Sequence, residues 1–265
     1  MINTLALLKK ERITTLQIDW TITDQDICKI KDFIAKQKDN PLVQDRKGRN
    51  LEGGSFRITK ANVWRVLVGC LLTTQQRSGP ESSVARLLHT NPFLLSYDTC
   101  LSKRNVEGFS LKTLSGFGGI RRTKTIAKEI KVNLTSLESG LWADLLARLR
   151  RLANESTAML ERDTADFVDA YLHGFGPKQS RNFLQWLGLT RYEIPIDSRI
   201  TKWLNNFGFP VILSAGSLAD RNYYQFVSEG IQKLCSASNI YPCILDAAIF
   251  ASFDGDSWTA DNVGY

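Results

Sequence analysis

The chain has 265 residues, of which 43% are hydrophobic and 10% aromatic, the balance of an ordinary globular protein of one or two compact units. Its 34 Lys and Arg residues exceed its 27 acidic residues, and the net charge of +7 suits nucleic acid or an anionic membrane, although many proteins without such partners are mildly basic. No apolar run is long enough to span a bilayer, and the N-terminus is too short and too charged for a signal peptide. We therefore expect an intracellular protein, in the cytoplasm or nucleoid of a prokaryote.

The cysteines are odd in number and scattered, and they form no CxxC pair. This distribution predicts neither a disulfide framework nor a zinc or iron–sulfur site, so no metal is expected on this ground. We expect reduced, mostly buried thiols. The five residues are Cys28, Cys70, Cys100, Cys235 and Cys243.

The first sixty residues carry few signals. Residues 13–18 alternate like a short strand, and the polar, Gly-rich residues 39–54 are predicted to form a long loop. No chemistry can be attached to this part of the chain. From Thr59, a fair N-cap, the apolar residues follow helical spacing as far as Leu71.

The rest of the chain predicts short helices joined by turns that Gly or Pro marks. We expect them near residues 81–88, 123–130, 141–152, 164–172, 177–187, 198–207, 223–234 and 244–250. Repeated strand patterns are absent. The predicted fold is therefore mainly α, a multi-helix globule split into two lobes, with at most a short strand-like segment near the N-terminus.

The most informative segment is a turn between two predicted helices. One helix stops at Gly174-Phe175-Gly176, and Pro177 stands at the first position of the next helix, where its missing N–H costs nothing. Glycines allow a partner to approach the backbone, and the N–H groups that open a helix suit a phosphate. A plain connection between two helices is the commoner interpretation of such a turn alone.

Lys178 lies in the first turn of the second helix. The positive end of the helix dipole disfavours its ammonium form, and a nucleophilic lysine must be neutral to attack. The plainer alternative is a lysine that contacts DNA phosphate or faces water. Asp197 precedes a further helix, where it is an expected N-cap that the backbone N–H groups keep ionised. Capping and catalytic roles are compatible for this carboxylate.

These residues resemble the helix-hairpin-helix glycosylase superfamily, whose hairpin has the form Leu-x-Gly-x-Gly-x-Lys followed by a loop that ends in Asp. Leu172, Gly174, Gly176 and Lys178 match this pattern, and Asp197 lies 19 positions beyond the lysine, as in the 8-oxoguanine glycosylase branch. The resemblance implies that the lysine attacks the sugar C1′ and that the aspartate supports the developing positive charge.

Two further patches, residues 71–77 and 114–124, occur in the order of that family. One resembles its Gln- or Asn-rich loop that enters the duplex, and the other its Gly-rich turn with wedge and phosphate contacts, although Ile120 stands where an aromatic wedge is common. A solvated helix end and an exposed basic face are the plainer alternatives. The resemblance covers roughly residues 57–253. The predicted DNA contacts are Gln75, Gln76, Arg77, Gly118, Arg121, Arg122, Lys124, Gly174, Gly176, Gln179 and Arg199.

Departures from the family limit the assignment of a substrate. The chain lacks the cysteine set of the iron–sulfur branches, and it ends in Tyr265 rather than in the lysine that helps small 8-oxoguanine enzymes to read the base. Phe250, Phe253 and Trp258 are candidates to stack on an extruded base, although aromatic residues in a last helix are more often part of the core.

The resemblance implies a DNA glycosylase domain over residues 57–265, with a central lobe of about residues 61–185. A lead segment, residues 1–56, would join the C-terminal helices in the second lobe. We expect a monomer that removes an oxidised purine, above all 8-oxoguanine, from double-stranded DNA through a lysine imine and β-elimination. No cofactor is required, although a monovalent cation at the hairpin fits the family. The alternatives are the same chemistry on another damaged or modified base, and a non-catalytic DNA-binding protein.

Overall fold

The computed structural model describes residues 20–53, 56–76 and 79–253, together with residues 255 and 259. The strand-like residues 13–18 lie outside the described residues, as do Arg77 and Trp258. Throughout the described ranges the regular structure is helical and contains no strand, which confirms the predicted mainly α fold.

The helices follow one another with short connections. The first seven are α1 (Asp24–Gln37), α2 (Pro41–Asn50), α3 (Lys60–Leu72), α4 (Ser83–Leu88), α5 (Tyr97–Leu101), α6 (Val106–Phe117) and α7 (Thr123–Ser136). The next six are α8 (Trp142–Asn154), α9 (Ala158–Tyr171), α10 (Pro177–Trp186), α11 (Ser198–Phe207), α12 (Arg221–Ser238) and α13 (Pro242–Phe253). A π-helical turn, Leu137–Leu141, joins α7 to α8, and a 3₁₀ turn, Ala215–Ala219, precedes α12. Helices α1, α2, α5 and α6 had no counterpart among the predicted helices.

The predicted long loop over residues 39–54 is wrong, because α2 occupies most of it. Asn40 caps this helix by accepting a hydrogen bond from the Leu42 N–H at 2.9 Å, and Pro41 fills the first helical position. Only Val43 and Asn50 of this helix are buried, so most of its side chains can be polar. The Asn50 side chain donates to the Thr190 carbonyl at 2.8 Å.

The predicted Gly-rich turn over residues 114–124 is shorter than expected, since residues 114–117 belong to α6. The chain reverses at Gly118 and Gly119, whose φ angles are 82° and 70°. Arg122 also has a positive φ, 58°, and forms the N-cap position of α7 without a side-chain hydrogen bond. Glycine is needed at Gly119, because a Cβ there would lie 2.2 Å from the Ser83 hydroxyl oxygen.

The buried apolar side chains form two main clusters. The first is built from α3 to α10 and runs from Val63 to Leu189 along the chain. The second is built from Ile30 of α1 and from the segment between Ile194 and Ile249, which spans α11 to α13. The link from α10 to α11 passes from one cluster to the other, so side chains at its two ends meet where the clusters join.

None of the helices in the described ranges is by itself long and apolar enough to cross a membrane. Helices α12 and α13 meet the length and composition requirement only as a pair that is bent by 101°. Both helices contribute residues to the second buried cluster.

Candidate active site

The turn between α9 and α10 depends on Gly174, whose φ is 85°. A Cβ at this position would lie 2.6 Å from Leu71 Cδ2 and 2.7 Å from the carboxyl carbon of Glu129, so a larger residue has no room. Gly176 is different, because a Cβ added there would meet no atom within 4 Å. The backbone at Gly176 is therefore open to a partner, as the sequence predicts for both glycines.

The side chain of Asn133 in α7 holds the backbone of this hairpin in place. It is fully buried in α7, and its Oδ1 accepts from the His173 N–H at 2.7 Å while its Nδ2 donates to the His173 carbonyl at 2.9 Å. Both polar groups of one turn residue are thus satisfied by a single side chain. This role could not be predicted, since an isolated Asn within a helix has no distinguishing pattern in the sequence.

Lys178 and Asp197 meet, as predicted. Lys178 is in the first turn of α10 with its side chain 47% exposed, and its Nζ lies 4.0 Å from Oδ2 of Asp197, whose side chain is 15% exposed. An amine beside a carboxylate, with solvent access on one side, is an arrangement that suits nucleophilic attack on an incoming electrophile.

Asp197 is the N-cap of α11, as predicted. Its Oδ1 accepts from the backbone N–H groups of Arg199 at 2.8 Å and Ile200 at 3.3 Å. Burial by itself raises the pKa of Asp197, but the Arg199 hydrogen bonds and charge, with the charge of Lys178, more than offset it and hold the pKa below its usual value. The carboxylate is therefore an anion at neutral pH.

Arg199, predicted to contact DNA, has two interactions within the protein. Its Nε and Nη2 donate to Asp197 Oδ2 at 2.9 and 2.6 Å, and its guanidinium lies 3.9 Å from the ring centroid of Phe250. The side chain orients the carboxylate and links it to the aromatic ring across the site. This positioning role was missed.

The link from α10 to α11 is held by buried carboxylates. Glu161 of α9 is fully buried, and its oxygens accept from three successive backbone N–H groups at 2.8 Å each. The donors are Arg191, Tyr192 and Glu193. The Glu193 carboxylate, 1% exposed, in turn accepts from Arg181 Nε at 3.0 Å. Because Arg181 is in α10, this ion pair ties the link to the helix that carries Lys178.

Tyr224 completes the support of the link. Its buried hydroxyl accepts from the Ile196 N–H at 2.8 Å and donates to the Ile194 carbonyl at 2.7 Å. The residues directly before Asp197 are therefore fixed on the second cluster, which sets the distance between Asp197 and Lys178. Sequence patterns do not reveal such a network, because its members are charged or polar residues in amphipathic helices that normally face water.

Lys178 and Asp197 line a cavity of about 180 Å³ between α2, α10 and α13. The ring of Phe250 and the indole of Trp186 contribute to its lining. Its other polar side chains are, in chain order, Asp45, Arg46, Arg49, Thr73, Gln76, Gln179, Asn182, Gln185, Arg199 and Asp246. An apolar cavity of about 150 Å³ admits benzene, so this more open cavity suits one flat heteroaromatic ring.

The three aromatic residues predicted for the base pocket have different positions. Phe250 lines the cavity. Phe253 ends α13 with 39% exposure, and its ring faces Lys202, whose Nζ is 5.4 Å from the centroid. The cavity lining does not include Phe253, so the structure does not bring this ring to the site. Trp258 is outside the described residues.

The predicted Gln-rich loop contains two residues with different surroundings. Gln75 is exposed and has a φ of 57°. The Gln76 amide is engaged at both ends, since Nε2 donates to the Leu72 carbonyl and Oε1 accepts from the Arg121 N–H at 2.9 Å. Gln76 thus connects two of the predicted patches, and Gln75 is the freer side chain to enter a duplex.

The basic turn also divides into exposed and internal residues. Arg121 and Lys124 are exposed beside Gly118. Arg122 is partly buried, and its Nη2 lies 3.6 Å from the Glu129 carboxylate, which gives it an internal ion pair instead of the predicted free phosphate contact. Ile120, at the predicted wedge position, is only 9% exposed and belongs to the first cluster.

Gln179 was predicted to contact DNA, and it lines the cavity with its amide nitrogen bonded inside the protein. The residue is 9% exposed, and its Nε2 donates to the Cys70 carbonyl and to the Thr74 hydroxyl at 2.6 Å each. Its amide holds α10 against the end of α3, so the nitrogen is already committed within the protein.

No protein-family model matches the chain, and no curated protein matches it. Solved structures do match. The 8-oxoguanine DNA glycosylase of Methanocaldococcus jannaschii aligns with a TM-score of 0.63 and 17% identity, over 91% of this chain and 100% of that one. The same organism's 8-oxoguanine glycosylase/lyase, in complex with a 15mer DNA that contains 8-oxoguanine, gives 0.63 and 17% over 88% and 100%. The 8-oxoguanine DNA glycosylase of Thermotoga maritima gives 0.59 and 18% over 88% and 99%.

The chain has the fold of 8-oxoguanine DNA glycosylases. The resemblance to the helix-hairpin-helix glycosylases, predicted from the hairpin and from Asp197, is thereby confirmed as a likeness of fold. At 17–18% identity the match speaks for the architecture, and the chemistry must be argued from the residues of this chain.

Proposed function

We propose that the protein is a DNA glycosylase with AP lyase activity that excises an oxidised purine, 8-oxoguanine above all, from double-stranded DNA. The observation that carries the proposal is the Lys178 Nζ, 4.0 Å from the Asp197 carboxylate, at a cavity of a size that suits one base. The shared fold with 8-oxoguanine DNA glycosylases supports it. A pure DNA clamp needs neither the lysine and carboxylate pair nor the cavity.

Binding begins at the backbone of the DNA. The open backbone at Gly176 and the N–H groups of the first turn of α10 offer donors to a phosphate, and Arg121 and Lys124 add exposed positive charge. The damaged nucleotide leaves the stack at a cost of a few kcal/mol and enters the cavity, where Phe250 provides an aromatic face. Gln75 is placed to fill the gap in the duplex.

The chemistry follows from the lysine and the carboxylate. The neutral Lys178 amine forms a bond to C1′ as the N-glycosidic bond breaks, and the base leaves with that electron pair and gains a proton. The Asp197 anion stabilises the positive charge that develops on the sugar. The bonded nitrogen, an ammonium after the attack, gives up one proton. Its lone pair then breaks the C1′–O4′ bond, O4′ takes up a proton, and the sugar ring opens to a protonated imine. Removal of a C2′ proton expels the 3′ phosphate oxygen, which nicks the strand.

Borohydride trapping tests the proposal. Wild-type protein is incubated with duplexes that contain an abasic site, 8-oxoguanine, an oxidised pyrimidine or no lesion, in the presence of sodium borohydride, which reduces an imine to a stable amine. We expect a covalent adduct with the abasic and 8-oxoguanine duplexes only. An adduct with another damaged base would keep the chemistry and change the substrate. The absence of any adduct, with DNA binding intact, would show a non-catalytic DNA-binding protein.

A further inference from the structure

Helix α2, to which the sequence attached no chemistry, supplies one wall of the cavity. Arg46 Nη1 donates to Asp246 Oδ2 of α13 at 2.6 Å, across 200 positions of the chain. The two side chains are 16% and 10% exposed, and both line the cavity that holds Lys178 and Asp197. A charged pair therefore lies at the same cavity as the proposed nucleophile.

The Asp246 carboxylate is held in one orientation. Gln185 of α10, itself 1% exposed, donates its Nε2 to the same Oδ2 at 2.9 Å, so Oδ2 receives both donors. A carboxylate accepts at both oxygens, and a guanidinium has five N–H donors, of which one is used in the bond to Asp246. Replacement of buried ion pairs by apolar residues is often neutral or stabilising, so stability alone does not account for this pair.

Phe250 gives the cavity its aromatic face next to this pair. Asp246 and Phe250 are four positions apart in α13, so their side chains are neighbours on one face of the helix, and both line the cavity. A base that stacks on the ring presents its edge, rather than its face, to the groups around it.

We propose that Arg46 and Asp246 read the Watson–Crick edge of an extruded guanine-derived base. Asp246 accepts from N1–H and from the 2-amino group, and Arg46 donates to O6. An adenine-derived base places a lone pair at N1 and an amino group at C6, which opposes both residues. The inference rests on the proposed excision activity and names the residues that select its substrate.

The test compares two lesions with wild-type protein. Single-turnover rates and affinities are measured on duplexes that carry 8-oxoguanine or 8-oxohypoxanthine, which differ by the 2-amino group alone. We expect the single-turnover rate constant divided by the dissociation constant to be at least about tenfold lower for 8-oxohypoxanthine, because the carboxylate loses a partner. Equal rates on the two lesions would overturn the proposal, and this comparison needs no variant.

Asp246→Asn locates the effect. It preserves shape but replaces one acceptor oxygen by a donor, so the preference for 8-oxoguanine over 8-oxohypoxanthine is expected to fall towards one, and excision of 8-oxoadenine is expected to rise relative to both. Lys47→Met is the control, since this substitution removes a charge from α2, the helix of Arg46, at a residue that pairs with Glu52 on the exposed surface. The control must keep the wild-type ratio, and an unchanged ratio in Asp246→Asn contradicts the proposal.

Nicking of a preformed abasic site separates this inference from the proposed function. That substrate has no base, so Asp246→Asn is expected to lose much less of this activity than of 8-oxoguanine excision, and the activity that remains shows that the variant is folded. Lys47→Met, outside the cavity lining, is expected to keep the wild-type rate. A wild-type protein that cannot nick or trap an abasic site would refute the proposed function itself. A protein that nicks abasic sites and excises 8-oxoguanine and 8-oxohypoxanthine at equal rates would refute the inference alone.

Discussion

The two walls of the cavity are built in different ways. On the hairpin wall, backbone features set the geometry: Gly174 forms the turn before α10, and Asp197 caps α11. On the wall formed by α2 and α13, side chains far apart in sequence set it, as Arg46 and Asp246 show. In the proposed function, the residues that carry out the reaction can therefore be found from a short sequence motif. The residues proposed to recognise the base are far apart in the sequence and cannot be found in that way.

Substitutions in the two walls should have different effects on activity. Changes in the hairpin wall should impair the chemistry on every substrate, including an abasic site, because the lysine and its carboxylate act on the sugar. Changes in the opposite wall should alter the choice of base and impair nicking of an abasic site much less. Variants that mix the two outcomes would break the division.

The largest effect is expected for Lys178→Gln. Loss of the nucleophile should reduce base excision and abasic-site nicking by several orders of magnitude, while the affinity for an abasic duplex changes little. Excision, borohydride trapping and binding are measured side by side. Lys202→Gln is the control, because this exposed lysine of α11 lies beyond the cavity lining. Trapping by Lys178→Gln at the wild-type rate would exclude this residue as the nucleophile.

Asp197→Asn should come next. Loss of the anion is expected to slow excision by about a hundredfold to a thousandfold. The weaker helix cap should lower the free energy of unfolding by roughly 0.5–2 kcal/mol. Urea unfolding and single-turnover kinetics measure the two effects. Normal kinetics in a destabilised variant would show that Asp197 is only a cap.

The same substitution also predicts a pH dependence. The folded pKa of Asp197 lies below its ordinary value of 3.8, so its charge adds stability that is fully present above pH 3.8 and is lost as the pH falls through the folded pKa. The difference in unfolding free energy between wild type and Asp197→Asn should therefore be constant between pH 7 and 5 and shrink only below 3.8. A difference that already shrinks above pH 5 would contradict the lowered pKa.

A smaller effect is expected at Gln75, which does not line the cavity. Gln75→Ala should weaken binding to a lesion duplex by about tenfold and binding to intact DNA much less, since a Gln amide offers a donor and an acceptor to the widowed base. Gln76→Ala serves as the comparison, because Gln76 bonds within the protein. Equal losses on lesion and intact duplexes would place Gln75 against the backbone of the DNA instead.

The smallest effects are expected at the basic turn. Neutralising Arg121 or Lys124 should flatten the slope of log K against log salt by about one unit each, without a change in the lesion that is cut. Arg122→Gln should leave the slope unchanged, since Arg122 pairs with Glu129. Fluorescence anisotropy over a range of salt concentrations measures all three. A flattened slope in Arg122→Gln would mean that this ion pair opens on DNA.

The sequence was informative where local rules decide the structure. Apolar spacing predicted most helices from α3 onward, and the hairpin pattern found Lys178 and Asp197. It failed for α2, whose polar surface resembles a loop because the helix buries so few residues. The sequence also did not reveal the internal hydrogen bond of Gln179, because a Gln that bonds to the Cys70 carbonyl is indistinguishable in sequence from one that faces water.

Three backbone N–H groups converge on Glu161 and anchor the residues that lead to Asp197. A segment anchored in this way is preorganised, so it does not have to be ordered when a ligand arrives. In the proposed function the DNA therefore carries the main cost of forming the complex, because the nucleotide leaves the stack at a cost of a few kcal/mol, least where it is poorly paired.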